Sequence, residues 1–246
     1  MVNWTREEIE EAIRLYLVTP FGKIHSSNPE IIDLSHQIGR TPSAVALKLA
    51  NLASIDETLN RRGMANASRL DKDVWKSFFD TLAESAAMLP KADTRVSHSR
   101  GFGDNKQEVF ESDARLGTDT KRVVSVRQGQ QFFRDMILAS YDFKCAITGI
   151  EQQELLVAGH IRPWSVDHRN RMNPRNGICL NRLHDKAFEA HLIAIEDDGK
   201  ILYSRRLLPE ARDKLTNMNK TGYISFPSRF RPDLGLLREH RENFHD

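Results

Sequence analysis

Three side chains in the second half of the chain are of types that move protons or bind cations: His160, Asn176 and His184. A histidine, with an ordinary pKa of about 6.5, is mostly neutral near pH 7, so its ring can accept a proton or bind a metal ion. An amide such as Asn176 carries donors and acceptors on one rigid plane and can fix a loop or orient a ring. Singly, each histidine reads as a surface or hydrogen-bonded structural residue. Their order and surroundings say more. Leu155 to Ile161 is an apolar run ending on His160, Arg162 to Arg175 is a polar loop, Asn176 to Leu180 is a second strand, and a helix follows through Leu183 to Phe188. Strand, long loop, strand and helix in this order allow the three side chains to converge on one point.

The pieces Ala158-Gly159-His160-Ile161-x-Pro163-Trp164, Asn176-Gly177 and Leu183-His184-Asp185 carry a likeness. The stretch from about Arg127 to Tyr203 resembles the HNH endonuclease family, whose core is a ββα-metal motif, in the variety without zinc-binding cysteines found in bacterial restriction-type endonucleases. The resemblance implies a metal-dependent DNA endonuclease. Hydrolysis of a phosphodiester needs a base to take a proton from water, a cation to stabilise charge, and a rigid site that holds them in line. His160 suits the base. The resemblance implies that His184 binds the divalent metal, with Asp185 as the nearest carboxylate to assist. Asn176 then fixes the loop or orients the imidazole, with Asn181 as the fallback for that role. Mg²⁺ or Mn²⁺ suits so sparse a donor set, because water and substrate phosphate commonly complete the shell.

Three departures from the family pattern stand out. Gly159 occupies the position where many members carry an acidic or histidine ligand just before the base. Phe188 stands where some members place a further ligand, and His191 lies about 10.5 Å along the helix axis from His184, too far to share one ion. Thr148 and Asn181 hold the positions of the zinc site of other members, so Cys145 and Cys179 read as small packing residues.

The elements that position these residues follow from apolar spacing. Phe132, Phe133, Met136, Ile137 and Tyr141 mark an amphipathic helix before the first strand, and Cys145 to Gly149 turn the chain. Leu192 to Ile195 and Ile201 to Tyr203 flank Asp197-Asp198-Gly199, a hairpin signal. Leu234 to Phe244 spell a short amphipathic helix.

At the N-terminus, Thr5 and Glu8 form a capping box, and Ile9, Ala12, Ile13, Tyr16 and Leu17 define a buried helical face. A second helix starts at Asn28-Pro29 and stops at Gly39, and Thr41-Pro42 caps a third that carries Val45, Leu49 and Leu52. Three short helices with a tight turn between the last two resemble the Myb/SANT group of DNA-binding domains. Arg40, Thr41, Ser43 and Lys48 are then the expected DNA contacts, with a purely supporting helical bundle as the alternative. Asp71 is read as the cap of a fourth helix bearing Trp75, Phe78, Phe79 and Leu82.

The apolar period disappears between Pro90 and about Thr120. The chain of 246 residues is accordingly read as α+β in two domains. A helical DNA-binding domain spans 1–89, a linker 90–126 and a nuclease domain 127–246, and a fragment beginning near Thr120 is expected to keep the chemistry. With 39% hydrophobic and 28% charged residues the composition is that of a globular chain rather than a disordered one. No apolar run spans a bilayer, and two cysteines outside any Cys-x-x-Cys pair do not make a disulfide scaffold, so a cytoplasmic protein is expected.

Charge is distributed unevenly. Residues 1–89 hold ten Lys/Arg against twelve Asp/Glu, whereas 160–186 hold six against two. The second stretch suits a polyanion, and Arg162, Arg171 and Arg175 are the expected phosphate contacts on double-stranded DNA. Two-strand cleavage would call for a homodimer, although no coiled-coil seam specifies one. Restriction or another anti-phage defence role follows by analogy. The rival reading is a non-catalytic DNA-binding regulator on a degenerate HNH core, for which Gly159 speaks.

Overall fold

The computed structural model describes residues 3–59, 66–88 and 117–244. Helix α1 (Arg6–Val18) starts as its sequence dictates: Glu8 donates its backbone N–H to Thr5 Oγ1 while its carboxylate accepts the Thr5 N–H at 2.8 Å. Helices α2 (Pro29–Gln37) and α3 (Pro42–Ile55) are capped by Asn28 and Thr41, each followed by proline at the first helical position. Gly39 takes φ +66° between them, where a side chain would be strained. Helix α4 (Arg69–Met88) corrects one expectation. Ser68 is the cap, and Asp71 closes the capping box from within the helix by accepting the Ser68 N–H at 2.8 Å.

Helix α5 (Gly117–Ser140) is longer than the apolar spacing suggests and begins inside the expected linker. The remainder of that linker, up to residue 116, lies outside the described residues. Strands β1 (Leu156–His160) and β2 (Gly177–Asn181) pair antiparallel, with Leu156 opposite Asn181 and His160 opposite Gly177. Helix α6 (Arg182–Glu189) follows β2 directly, capped by Asn181. A second antiparallel pair, β3 (Ile193–Ile195) and β4 (Ile201–Tyr203), turns at Gly199 with φ +94°. Helices α7 (Pro209–Asn217) and α8 (Leu234–Glu242) complete the chain. The fold is therefore α+β, a helical N-terminal part followed by a ββα unit.

The two parts share one core. Ile9, Ile13 and Leu17 of α1 belong to the same buried cluster as Phe133 and Ile137 of α5 and Ile178 of β2. The fully buried Arg229, from the segment between α7 and α8, donates to the carbonyls of Tyr16, Leu17 and Thr19 at 2.8 to 2.9 Å. These carbonyls lie at the C-terminal end of α1 and its Thr19 cap, where Tyr16 O also accepts the Thr19 N–H, and a cation there opposes the negative end of the helix dipole. No helix of the described residues is long and apolar enough to cross a membrane.

Candidate active site

His160 ends β1 half-buried, with its ring fixed on several sides. Phe133 of α5 stacks on it at 4.0 Å between centroids and 10° between planes. Trp164 meets it edge-on at 5.5 Å, and Nε2 lies 3.0 Å from the backbone carbonyl of Arg171. Burial drives the imidazole pKa down to about 4, against the opposing pull of that carbonyl, and the nearby Arg171 charge adds to the lowering. The ring is neutral at pH 7. Helix α5 can approach this closely because Gly177, opposite His160, has no side chain: a Cβ there would lie 2.5 Å from Ile137 Cδ1 and 2.8 Å from Phe133.

The loop between the strands is built around two residues. Asn176, fully buried, accepts the Arg162 N–H at 2.8 Å and donates to the carbonyls of Arg162 and Asn170, both at 3.1 Å. It ties the two ends of the loop together, as the loop-fixing role requires, and it does so from the interior. Asp167 accepts from the backbone of Arg169 and Asn170 and from the side chains of Asn170 and Arg162.

Gly159, which lacks the customary ligand, faces a carboxylate from another element. A Cβ at this position would overlap Asp185 Oδ1 of α6, so the glycine makes room for the acid. Asp185 makes no hydrogen bond or ion pair with any described residue. Its pKa is raised to about 6 by burial and by the charge of Glu189 one turn along α6, with Lys186 and Arg182 offsetting only part of this. A carboxylate so placed is short of positive charge, as a cation ligand would be. No group of three or more His, Cys, Asp or Glu side chains among the described residues is arranged to enclose a metal ion, so any cation here has a sparse protein shell.

His184 does not share this setting. It is fully buried, its Nδ1 donates to the Asn181 cap at 3.1 Å, and the ring also faces the backbone of Leu215. Its Nε2 has no hydrogen-bond partner among the described residues, so one ring nitrogen stays open, while Asp185, at the edge of β1, is the less buried of the two expected ligands. Asn181 is accounted for by capping α6 and by donating to Thr148 Oγ1 at 3.3 Å, so the asparagine role rests with Asn176.

The expected nucleic-acid contacts divide. Arg40 is corrected, since its guanidinium binds both Glu8 oxygens, at 2.7 and 3.0 Å, and lies 4.4 Å over the Trp4 ring. Lys48 is corrected too, being buried and paired with Asp71 at 2.7 Å. Thr41 and Ser43 are exposed, although Thr41 caps α3, and the largest exposed side chain of that helix is the apolar Leu47. Arg171 is fully buried, which removes it as a phosphate contact. Arg175 is exposed and pairs with Asp233 at 3.4 Å.

Arg162 lines a cleft of about 410 Å³ together with His160, Val166, Glu189 and, from α8, Glu239 and His240. It is held by Asp167 at 2.6 Å and by Glu239. Sequence reasoning missed Phe133, Glu189 and Glu239 as neighbours of the site. Only Glu189 had a readable signal, the i,i+4 spacing from Asp185 on one helix face.

The segment that forms this ββα unit is similar in sequence to a known family. Residues 145–196 match the family described as HNH endonuclease. This HNH domain supports a nuclease-type function. No curated protein matches the chain. The matched segment holds His160, Asn176, His184 and Asp185, whereas Phe133 and the α8 residues that border the HNH cleft come from outside it.

Proposed function

We propose that the chain is a divalent-metal-dependent DNA endonuclease in which His160 is the general base. The hydrogen bond from His160 to the Arg171 carbonyl carries this reading. A carbonyl only accepts, so Nε2 holds the proton and Nδ1 of the neutral ring keeps its lone pair for the proton of an attacking water. Asp185, with Glu189 beside it, fits a hard cation such as Mg²⁺ or Mn²⁺, and His184 is the second expected ligand. When bound, that ion supplies positive charge to the phosphate and leaving oxygen. Asn176 holds the loop, and Arg162 and Arg175 neutralise phosphates on either side of the scissile bond. A role in restriction or another anti-phage defence, in the cytoplasm, draws on the likeness to restriction-type members.

For the N-terminal helices, the internal use of Arg40 and Lys48 favours the supporting reading. Helix α1 braces α5, which in turn walls His160. Of the contacts expected on these helices, Thr41 and Ser43 remain open to a DNA duplex.

The experiment is incubation of the full-length protein with supercoiled plasmid and Mg²⁺ or Mn²⁺, with chelator and His160→Ala controls. Conversion that stops with chelator and falls by about 10²–10⁴ in His160→Ala, at nearly unchanged DNA affinity, is the expected result. DNA binding without conversion under any metal would instead favour the regulator. Nicked against linear product distinguishes one-strand from two-strand cutting and so bears on a homodimer.

A further inference from the structure

The loop of residues 162–175 buries a guanidinium beside the proposed base. Arg171 is fully buried, a costly place for a cation unless it holds something in position. Its Nε donates to the Trp164 carbonyl at 2.8 Å, and its guanidinium carbon lies 5.1 Å from the centre of the Trp164 ring. The Trp164 ring stands edge-on to His160 at 78°, and the backbone carbonyl of Arg171 accepts from His160 Nε2. One residue therefore fixes the tryptophan with its side chain and the imidazole with its main chain. An unclamped imidazole exchanges its proton between two nitrogens and turns about its ring torsion. Closed in by Phe133, Trp164 and the Arg171 carbonyl, it has one favoured tautomer.

We infer that Arg171 is a positioning residue: with Trp164 it locks the His160 ring with Nε2 protonated, leaving Nδ1 as the nitrogen that takes the proton. The inference rests on the reading of His160 as the base. It assigns Arg171 to the rate of the chemical step and not to the grip on nucleic acid. A misplacement of about 1 Å can cost about 10²-fold in rate, so loosening the clamp acts on kcat.

The test uses full-length protein with ¹⁵N-labelled histidine, and His160→Gln assigns the His160 signals. Wild type should show the single Nε2–H tautomer at pH 7.5, and Arg171→Met a mixture. In parallel, plasmid cleavage by Arg171→Met should lose at least tenfold in kcat with KM and DNA affinity within twofold, and Arg171→Lys should recover part of the loss. In a His160→Ala background, Arg171→Met should slow the residual rate no further. Should Arg171→Met fail to fold, Trp164→Phe removes the indole edge and is expected to shift the same two readouts. An unchanged tautomer, or reduced DNA affinity with a shallower salt dependence and intact kcat, would overturn the clamp. A tautomer change in a protein whose wild type cleaves nothing would leave the clamp standing and remove the nuclease reading instead.

Discussion

His160 and Asn176 were legible as residues because their chemistry and their place in a strand, loop, strand and helix pattern agreed. Gly159 was legible only as a gap. Its meaning lies in three dimensions, where the missing side chain leaves space for Asp185 from a helix 26 residues on. Gly159→Ala should therefore push the carboxylate aside. The displaced atom is the end of a side chain without a hydrogen bond, so we expect a small change in melting temperature together with at least a tenfold drop in metal-dependent cleavage. Full activity in Gly159→Ala would mean that the carboxylate is not needed where it stands. Arg40, Lys48 and Arg171 were misread for a common reason. A cationic residue type shows an ability to bind phosphate, but not which carboxylate, ring or carbonyl already occupies it in the fold.

At the scale of elements, helix starts were read well because caps are local chemistry: Thr5, Asn28 and Thr41 each cap where their spacing to the apolar face requires. Helix α7 escaped notice because Leu215 is its one buried residue, too little for a period. The packing of α8 on α6 could not be read at all. His240 of α8 stacks on Phe188 at 3.7 Å, and its Nε2 donates to the Phe188 carbonyl at 2.9 Å near the end of α6. Burial, aided by the charges of His191 and Arg241, lowers the His240 pKa from 6.5 to about 4, against the opposing pull of that carbonyl. The unfolded chain therefore takes up this proton first as the pH falls. The contribution of the contact is complete above about pH 6.5 and is lost as the pH drops toward about 4. Urea midpoints across pH 4 to 7.5 should show His240→Gln less stable than wild type at neutral pH, with the two curves closing together through that window. Curves that stay parallel would remove His240 from the acid response.

On the scale of the molecule, the helical N-terminal part and the part around the ββα unit are held together by shared packing. The α1 face packs on α5, and Arg229 reaches back to the end of α1. Long-range contacts of this kind leave no mark on composition. Arg229→Met keeps the bulk of the side chain and removes its donors, so it should cost at least about 2 kcal/mol. Trp4 and Trp75 report on the helical part and Trp164 on the HNH part. Single-tryptophan versions of the protein should unfold at one common denaturant midpoint, and two separate midpoints would restore the independent domains. A fragment beginning near Thr120 should be marginal on its own, because it exposes the α5 surface that α1 covers.

That shared surface makes the peptide connection between the halves dispensable in principle. Two polypeptides produced in one cell, residues 1–88 and 117–246, would be expected to assemble by mass action through α1, α5 and Arg229. Nuclease function would then rise and fall with dilution around their dissociation constant, an on–off property that the intact chain does not have.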